Sequence, residues 1–406
     1  MCGIIGYKYV GENEFIQRRG QDHTNEVEIN GMTFIHNLLS VTGEFTPQPF
    51  TEDNIVVLFN GEIYNHSFNK SDGENIIPLY KKHGVLFPRE LDGEWAIALF
   101  DYNKNIAVFS TDLFSTKPLW RDGVDFASYE SGVGGNKIEA NTIQVLRIDT
   151  EELIEEHKVY EFDFKNQVKN TYDDWIKAFE ESIKKRGKED CFIGLSSGYD
   201  SGSIQAELRR QGIKHKSYAV GRNENEEIMA KREPDETIIL TPEQKQEIQE
   251  YINKNTEDFK YTIKYNGIQT AQTVLSDPAS IGLAAICKRA QKEGRKVYLS
   301  GQGADEITSD YSKFEGQGEI QNFGEDLNIW YNFYKGCQES YIAKEEHVAG
   351  TFNIETRYPF LDKMVVQEFL WLTPELKNKN YKAPLYEYLI KYNIPFEEGV
   401  KRGFTP

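Results

Sequence analysis

Long apolar runs are missing from this 406-residue chain. None is long enough to cross a bilayer, and the start lacks the basic-then-apolar pattern of a secretory leader, so the cytoplasm is the expected compartment. Positive charge is scarce as well: 47 Lys and Arg stand against 65 Asp and Glu, a formal net charge of -18. A general nucleic-acid or membrane-surface binder needs clustered cations and is excluded, although a small anion held by a local loop is not. The four cysteines, Cys2, Cys191, Cys287 and Cys337, have neither metal-ligand nor disulfide-framework spacing and read as free thiols in a reducing compartment. What remains is 39% hydrophobic and 28% charged, an ordinary globular composition with length enough for two domains.

The stretch Leu195-Ser196-Ser197-Gly198-Tyr199-Asp200-Ser201-Gly202 follows an apolar run, residues 191–195, and precedes a helical segment with Ile204 and Leu208 four apart. Strand, loop and helix are expected in that order. Small loop residues let backbone N–H groups approach an anion, and the helix N-terminus adds partial positive charge, so a pyrophosphate suits the loop. Asp200 would repel it unless the carboxylate held a hard ion such as Mg2+ shared with the phosphates. Alone, such loops are mostly plain connections. The spacing differs from the phosphate loop ending Gly-Lys-Ser/Thr. It resembles instead the Ser-Gly-Gly-x-Asp-Ser loop of the ATP pyrophosphatases, with Ser197 where glycine is usual. That resemblance implies ATP and Mg2+ as cofactors and a nucleotide site at Leu195, Ser196, Ser197, Gly198, Asp200 and Ser201.

At the other end, Cys2 would carry both a thiol and a free α-amine once Met1 is removed, the logic of N-terminal nucleophiles. Arg19 in Arg19-Gly20-Gln21-Asp22 could grip a carboxylate bidentately. Asn60 and Gly61, at the end of the apolar run 55–59, could form an oxyanion hole. Asp72, before a helical stretch, could take the α-amino group of the same ligand. Singly, these would more often be a buried small residue, an ion pair, a hairpin turn and a helix cap. Together, Cys2, Arg19-Gly20-Gln21-Asp22, Asn60-Gly61-Glu62-Ile63-Tyr64-Asn65 and Ser71-Asp72-Gly73-Glu74 resemble, in order, the motifs of the class II glutamine amidotransferase domain. Gln21 replaces the usual Pro, and Thr111 and Ser115 replace the usual Arg and Gly around Asp112. The resemblance implies a sandwich of antiparallel sheets flanked by helices (αββα, the N-terminal-nucleophile hydrolase type), with Glu62 beside Arg19, Asn60 and Asp72 at the glutamine.

Beyond the central loop the pattern alternates between strand and helix, as a doubly wound parallel sheet would. Residues 216–220 read as a strand whose end, with Leu195, could place Val220 against an adenine or simply in the core. Residues 281–294 read as a helix leading to a strand at 297–299. The tract 223–255 is heavily charged and gives no clear period. Ser300-Gly301-Gln302-Gly303-Ala304-Asp305-Glu306 resembles the Ser-Gly-Glu-Gly-x-Asp-Glu motif of asparagine synthetases, which implies Ser300 and Gly301 at the nucleotide and Asp305 joining Asp200 at the metal. Glu355-Thr356-Arg357-Tyr358-Pro359-Phe360-Leu361-Asp362, Lys382 and Lys401-Arg402-Gly403-Phe404 continue the family order, and Lys382 falls at the place of a catalytic lysine. Gln302 stands where that family has glutamate, and an amide cannot serve as a base.

The chain thus resembles a compact glutamine-hydrolysing asparagine synthetase, with residues 1–163 as the glutaminase and 164–406 as the adenylating synthetase. The resemblance implies glutamine and aspartate as substrates, an apolar passage for ammonia, and Cys2, Asn60, Gly61 and Lys382 as catalytic residues. A homodimer is allowed. A different carboxylate acceptor, a non-catalytic sensor, and a glutaminase with a regulatory second half are the alternatives.

Overall fold

The computed structural model describes residues 1–188, 190–221, 224–265, 268–309 and 323–400. The chain divides into two compact units: Met1–Glu161 with the short segments Asn255–Glu257 and Ala349–Glu355, and the remainder, which begins at Phe162. The first unit ends two residues before the cut expected at 163. Its two later segments are recruited by polar contacts that no local pattern announces: the Thr256 and Thr351 hydroxyls lie 2.7 Å apart, and the Ser131 N–H donates to the Glu257 carboxylate at 3.0 Å.

The first unit forms two six-stranded sheets: His23–Ile29 alternates along its length, whereas Ile55–Ile63 and Gly93–Asp101 are buried nearly throughout. Gly3–Tyr7 lies inside one sheet, paired antiparallel with Met32–Leu38 and Asp125–Ala127. Ile55–Ile63 lies in the other, paired antiparallel with Gly93–Asp101, so that Asn60 faces Ala96 and Gly61 faces Trp95. Ile4, Phe34 and Phe126 from the first sheet meet Leu58, Phe100 and Phe109 from the second in one buried cluster. Phe34 and Phe100 sit edge to face at 5.3 Å, and burying a side chain of this size contributes roughly 2–3 kcal/mol. Flanking helices are short, such as Ile76–His83.

The second unit holds a five-stranded sheet in the order Glu236–Ile238, His215–Val220, Cys191–Gly194, Val297–Leu299, Glu355–Arg357. Cys191–Gly194 runs parallel to both neighbours. From it the chain first builds outward on one side and later on the other, so the loops after Cys191–Gly194 and Val297–Leu299 open together at a switch point, where such sheets bind ligands. The helix Asp173–Arg186 buries Trp175, Phe179 and Ile183 as their spacing dictates, with Trp175 stacked on Phe179 at 5.6 Å. The charged tract contains the helix Glu226–Arg232, the strand Glu236–Ile238 and the helix Pro242–Asn255. A two-stranded hairpin, Lys260–Tyr265 with Ile268–Thr273, follows it. Among the described residues no helix is long and apolar enough to cross a membrane.

Candidate active sites

Cys2 opens the strand Gly3–Tyr7, whose first residue must be glycine: a Cβ there would lie 2.3 Å from the Ile16 carbonyl oxygen. The Cys2 thiol points at the Leu39 carbonyl, 3.9 Å away. Burial pushes it up to about 11, the Met1 amine opposes this, and the carboxylates of Glu355 and Asp72 add to it. Met1 is itself fully buried, with its amine 3.6 Å from Glu355. Burial lowers that amine to about 6 although Glu355 favours its charge.

Arg19 is completely buried. Its Nε donates to the Cys2 carbonyl at 3.1 Å, Nη1 donates to the Tyr129 hydroxyl at 2.7 Å, and Nη2 lies 2.9 Å from the Met1 sulfur. The Met1 side chain therefore sits on the guanidinium that the sequence reading assigns to a substrate carboxylate. Asp72 accepts the Ile63 N–H at 2.7 Å, and burial pushes its carboxyl up. The strand carrying Asn60 packs against Gly3–Tyr7. Both polar atoms of the Asn60 amide are buried with no hydrogen-bond partner among the described residues, a state that costs about 1–3 kcal/mol per group unless a ligand satisfies it. Gly61 has φ of +147°, and a Cβ there would lie 1.9 Å from the Glu94 carbonyl oxygen. Glu62, two residues along the same strand face, accepts the Thr42 hydroxyl at 2.7 Å.

In the second unit a cavity of about 400 Å³ is lined by Ser196, Gly198, Asp200, Ser201, Ser300, Gly301 and Asp305 among others. The loop is drawn tight by its own serines: Ser201 Oγ accepts the Ser196 N–H at 3.0 Å, and Ser196 Oγ accepts the Gly198 N–H at 3.1 Å. Gly301 approaches so closely that a Cβ would meet the Asp200 Cβ at 3.0 Å. Lys382 Nζ lies 2.7 Å from both Asp200 carboxylate oxygens and 2.9 Å from Asp305. Burial opposes the lysine's charge, but the two carboxylates outweigh it and hold its pKa well above the ordinary value. Tyr381 donates to Asp305 at 2.9 Å.

Two convergent carboxylates suit a hard cation, and among the described residues no larger group of His, Cys, Asp and Glu could hold one, so phosphate and water oxygens would complete its shell. Lys382, at the place of the family's catalytic lysine, bridges the two acids in this structure. Leu195, just past the strand Cys191–Gly194, and Val220, at the end of His215–Val220, are buried and are not among the residues lining this cavity. Ser197, too, is absent from the lining. It turns inward, donating N–H and Oγ to the Glu224 carboxylate at 2.6 and 2.5 Å. Lys401-Arg402-Gly403-Phe404 lies outside the described residues.

Several participants escape sequence reasoning because only the fold brings them in. Arg232 is buried beneath the loop, where its Nη1 donates to the Ser196 and Gly198 carbonyls. It thereby turns those oxygens inward, while the Ser196, Ser197 and Gly198 N–H groups are taken up by Ser201 Oγ, Glu224 and Ser196 Oγ. Burial lowers the Arg232 pKa to about 10. Asp277 and Lys344 form a buried ion pair of 2.9 Å in the cavity wall. Tyr129 in the first unit has no neighbouring motif, and Glu355, though it opens the Glu355 to Asp362 segment, gives no local sign of a partner at the amino terminus.

The family model described as "Glutamine amidotransferase domain" matches residues 1–159, and that described as "Asparagine synthase" matches residues 174–328. A protein of Methanocaldococcus jannaschii assigned to the glutamine-hydrolysing asparagine synthetases is 27% identical, covering 87% of this chain and 71% of that protein. The glutamine-hydrolysing asparagine synthetase of Asparagus officinalis is 24% identical, covering 93% of this chain and 70% of that protein. Among solved structures, an NMN synthetase from Francisella tularensis matches 58% of this chain and 96% of that chain at a TM-score of 0.23 and 14% identity, too slight a likeness to add to the fold. With both family models matched in order over residues 1–159 and 174–328, and relatives of that name matching across most of the chain, the chain belongs to the glutamine-hydrolysing asparagine synthetase family.

Proposed function

We propose that the chain is an ATP-dependent amide ligase that makes asparagine from aspartate with nitrogen taken from glutamine, residues 1–163 acting as the glutaminase and 164–406 as the synthetase. Once Met1 is removed, the Cys2 thiol attacks the glutamine side-chain amide, and the Cys2 α-amine takes the thiol proton. Asn60 and Gly61 donate to the developing oxyanion. Arg19 holds the substrate carboxylate, and Asp72 and Glu62 its amine end. Ammonia leaves, and water releases glutamate from the thioester.

In the second unit the loop 196–201, with Ser300 and Gly301, holds ATP as the aspartate side chain attacks the α-phosphorus. When bound, Mg2+ at Asp200 and Asp305 supplies positive charge to the departing pyrophosphate. Lys382, released from the two acids, is poised to follow that charge. The single observation that carries the reading is the convergence of Ser196, Asp200, Gly301, Asp305 and Lys382 on one cavity. Asp277 and Lys344 in the same wall offer the opposite charges that the α-amine and α-carboxylate of aspartate require.

The test supplies glutamine, ATP, Mg2+ and aspartate, and follows asparagine, AMP and pyrophosphate. C2A should abolish glutamine-dependent synthesis yet keep synthesis from added ammonia, and D200N should spare glutamine hydrolysis. Loss of both activities in either variant would contradict the division of labour. Gln302 favours a second reading, in which the same machinery amidates another carboxylate; AMP formation with a panel of acids and none with aspartate would decide for it.

A further inference from the structure

The final step at the second site needs a base. When ammonia adds to an acyl-adenylate, a C–N bond forms and the bond to the AMP oxygen breaks; nitrogen arrives with three hydrogens and must give one up before a neutral amide results. AMP departs with the bonding electron pair, leaving one proton to be placed on the protein. Gln302, at the turn that leads into the Asp305 helix, carries an amide that accepts no proton near neutrality. Asp200 and Asp305 pair with Lys382 here and would be committed to the metal once the nucleotide is bound. Asp277 is committed to Lys344 and to the Tyr261 hydroxyl, which donates at 3.1 Å.

One carboxylate in the cavity wall is differently placed. Glu345 projects from the helix Cys337–Thr351 and is 5% exposed. It lines the cavity together with Ser300, Gly301 and Gln302. The Ser300 and Gln302 side chains hydrogen-bond to it, while its Oε2 is buried without a partner among the described residues. A buried carboxylate oxygen with no donor is costly, and a proton, a water or a ligand met there would offset that cost.

We propose that Glu345 is the general base that takes the proton from the attacking ammonia, with Gln302 as the residue that positions it. Resting on the adenylation reading above, the proposal gives the amide at 302 a use: it holds the carboxylate on the neighbouring helix toward the acyl group. The surroundings suit a base that must be ionised before the step and neutral after it. Burial pushes Glu345 up to about 7, against Ser300, Lys344 and Gln302, while Glu346 adds to the rise. From the other packed elements, the Cys287 thiol and the Tyr298 phenol face the same carboxylate and stay protonated, so neither competes for its proton.

The experiment uses the full chain with ATP, Mg2+ and aspartate, and separates two readouts: isotope exchange between pyrophosphate and ATP, which reports adenylation, and asparagine formation from ammonium chloride. E345Q should keep exchange within about threefold of wild type and lose amide formation by about a hundredfold or more. In E345Q the added change Q302E should restore at least about tenfold, because it returns a carboxylate to the same spot. If E345Q forms amide at the wild-type rate, or if it loses exchange and amide together while its circular dichroism stays native, this role is overturned and the adenylation reading survives. If the wild-type chain exchanges no pyrophosphate with aspartate or any other acid, the adenylation reading falls, and this role falls with it.

Discussion

Ser115 occupies a left-handed backbone conformation, φ +51°, with its hydroxyl buried and unpartnered among the described residues. Glycine adopts such a φ without a Cβ penalty, and glycine is what the amidotransferase domain usually has there. S115G removes both the strain and the orphaned hydroxyl and should stabilise the chain by about 1–2 kcal/mol, raising the midpoint of thermal unfolding by a few degrees. An unchanged or lowered midpoint would show that the serine meets a partner in solution. At Cys2 the decisive residue is its neighbour. With Met1 retained, a thiol at about 11 is ionised to roughly one part in ten thousand at pH 7. Chain purified with Met1 in place should react with iodoacetamide at least about a hundredfold more slowly at Cys2 than processed chain, read by mass spectrometry. Equal rates would mean that Met1 shields nothing. Cys2, Asn60 and Asp72 could be singled out as candidates because each sits in a short motif. Glu355, which holds the Met1 amine, could not, since 353 positions separate it from its partner in the sequence.

At the scale of elements, the strand Cys191–Gly194, its loop and the helix Tyr199–Arg210 could be read directly, because the apolar run, the small residues and the helical spacing agree. The charged tract hid two helices and an edge strand. Its helix Pro242–Asn255 buries only Ile248 and Ile252 among its larger apolar residues, so the hydrophobic period is nearly absent. From that tract come two side chains that shape the phosphate loop. Arg232 fixes the loop carbonyls from below, while Glu224 takes the Ser197 donors and places a negative charge beside the proposed anion site. E224Q should therefore lower the KM for ATP several-fold with little change in glutamine hydrolysis, whereas R232A should raise it by tenfold or more. A higher KM in E224Q would mean that the carboxylate supports the loop instead of competing for it.

Across the whole molecule, the segment Glu355-Thr356-Arg357-Tyr358-Pro359-Phe360-Leu361-Asp362 was recognisable as a family motif, yet its final acid is structural. Asp362 is buried, accepts from Arg186 at 2.8 Å and also pairs with Lys185, tying the turn to the helix Asp173–Arg186. Burial alone would raise its pKa; Arg186 and Lys185 outweigh burial and hold it well below the usual carboxylate range. A depressed folded-state pKa contributes stability that is complete above the unfolded value near 4 and is lost as pH falls through the folded one. D362N, which strands two cations, should cost about 3 kcal/mol and flatten the fall in stability on the acid side. Urea titrations at pH 7 and pH 3 check both, and a loss at pH 7 below about 1 kcal/mol would contradict the assignment. Fold class was visible in the sequence because short strand-like runs fill the first unit and strands alternate with helices of 3.6 period in the second. The side chains that finish the sites were not, because the fold draws them from distant positions.

Lys382 wedged between Asp200 and Asp305 has a consequence for the order in which ligands arrive. A protein that keeps an ammonium of its own between those acids has little appetite for a bare divalent ion, which would have to evict it unaided. Titration calorimetry with MgCl2 alone should register almost no heat, while K382M should expose a site for the lone ion. On the proposed reading, the guest that would displace the lysine is the nucleotide already wearing its magnesium, and the resting protein would guard its carboxylates against whatever divalent ion happens to be abundant.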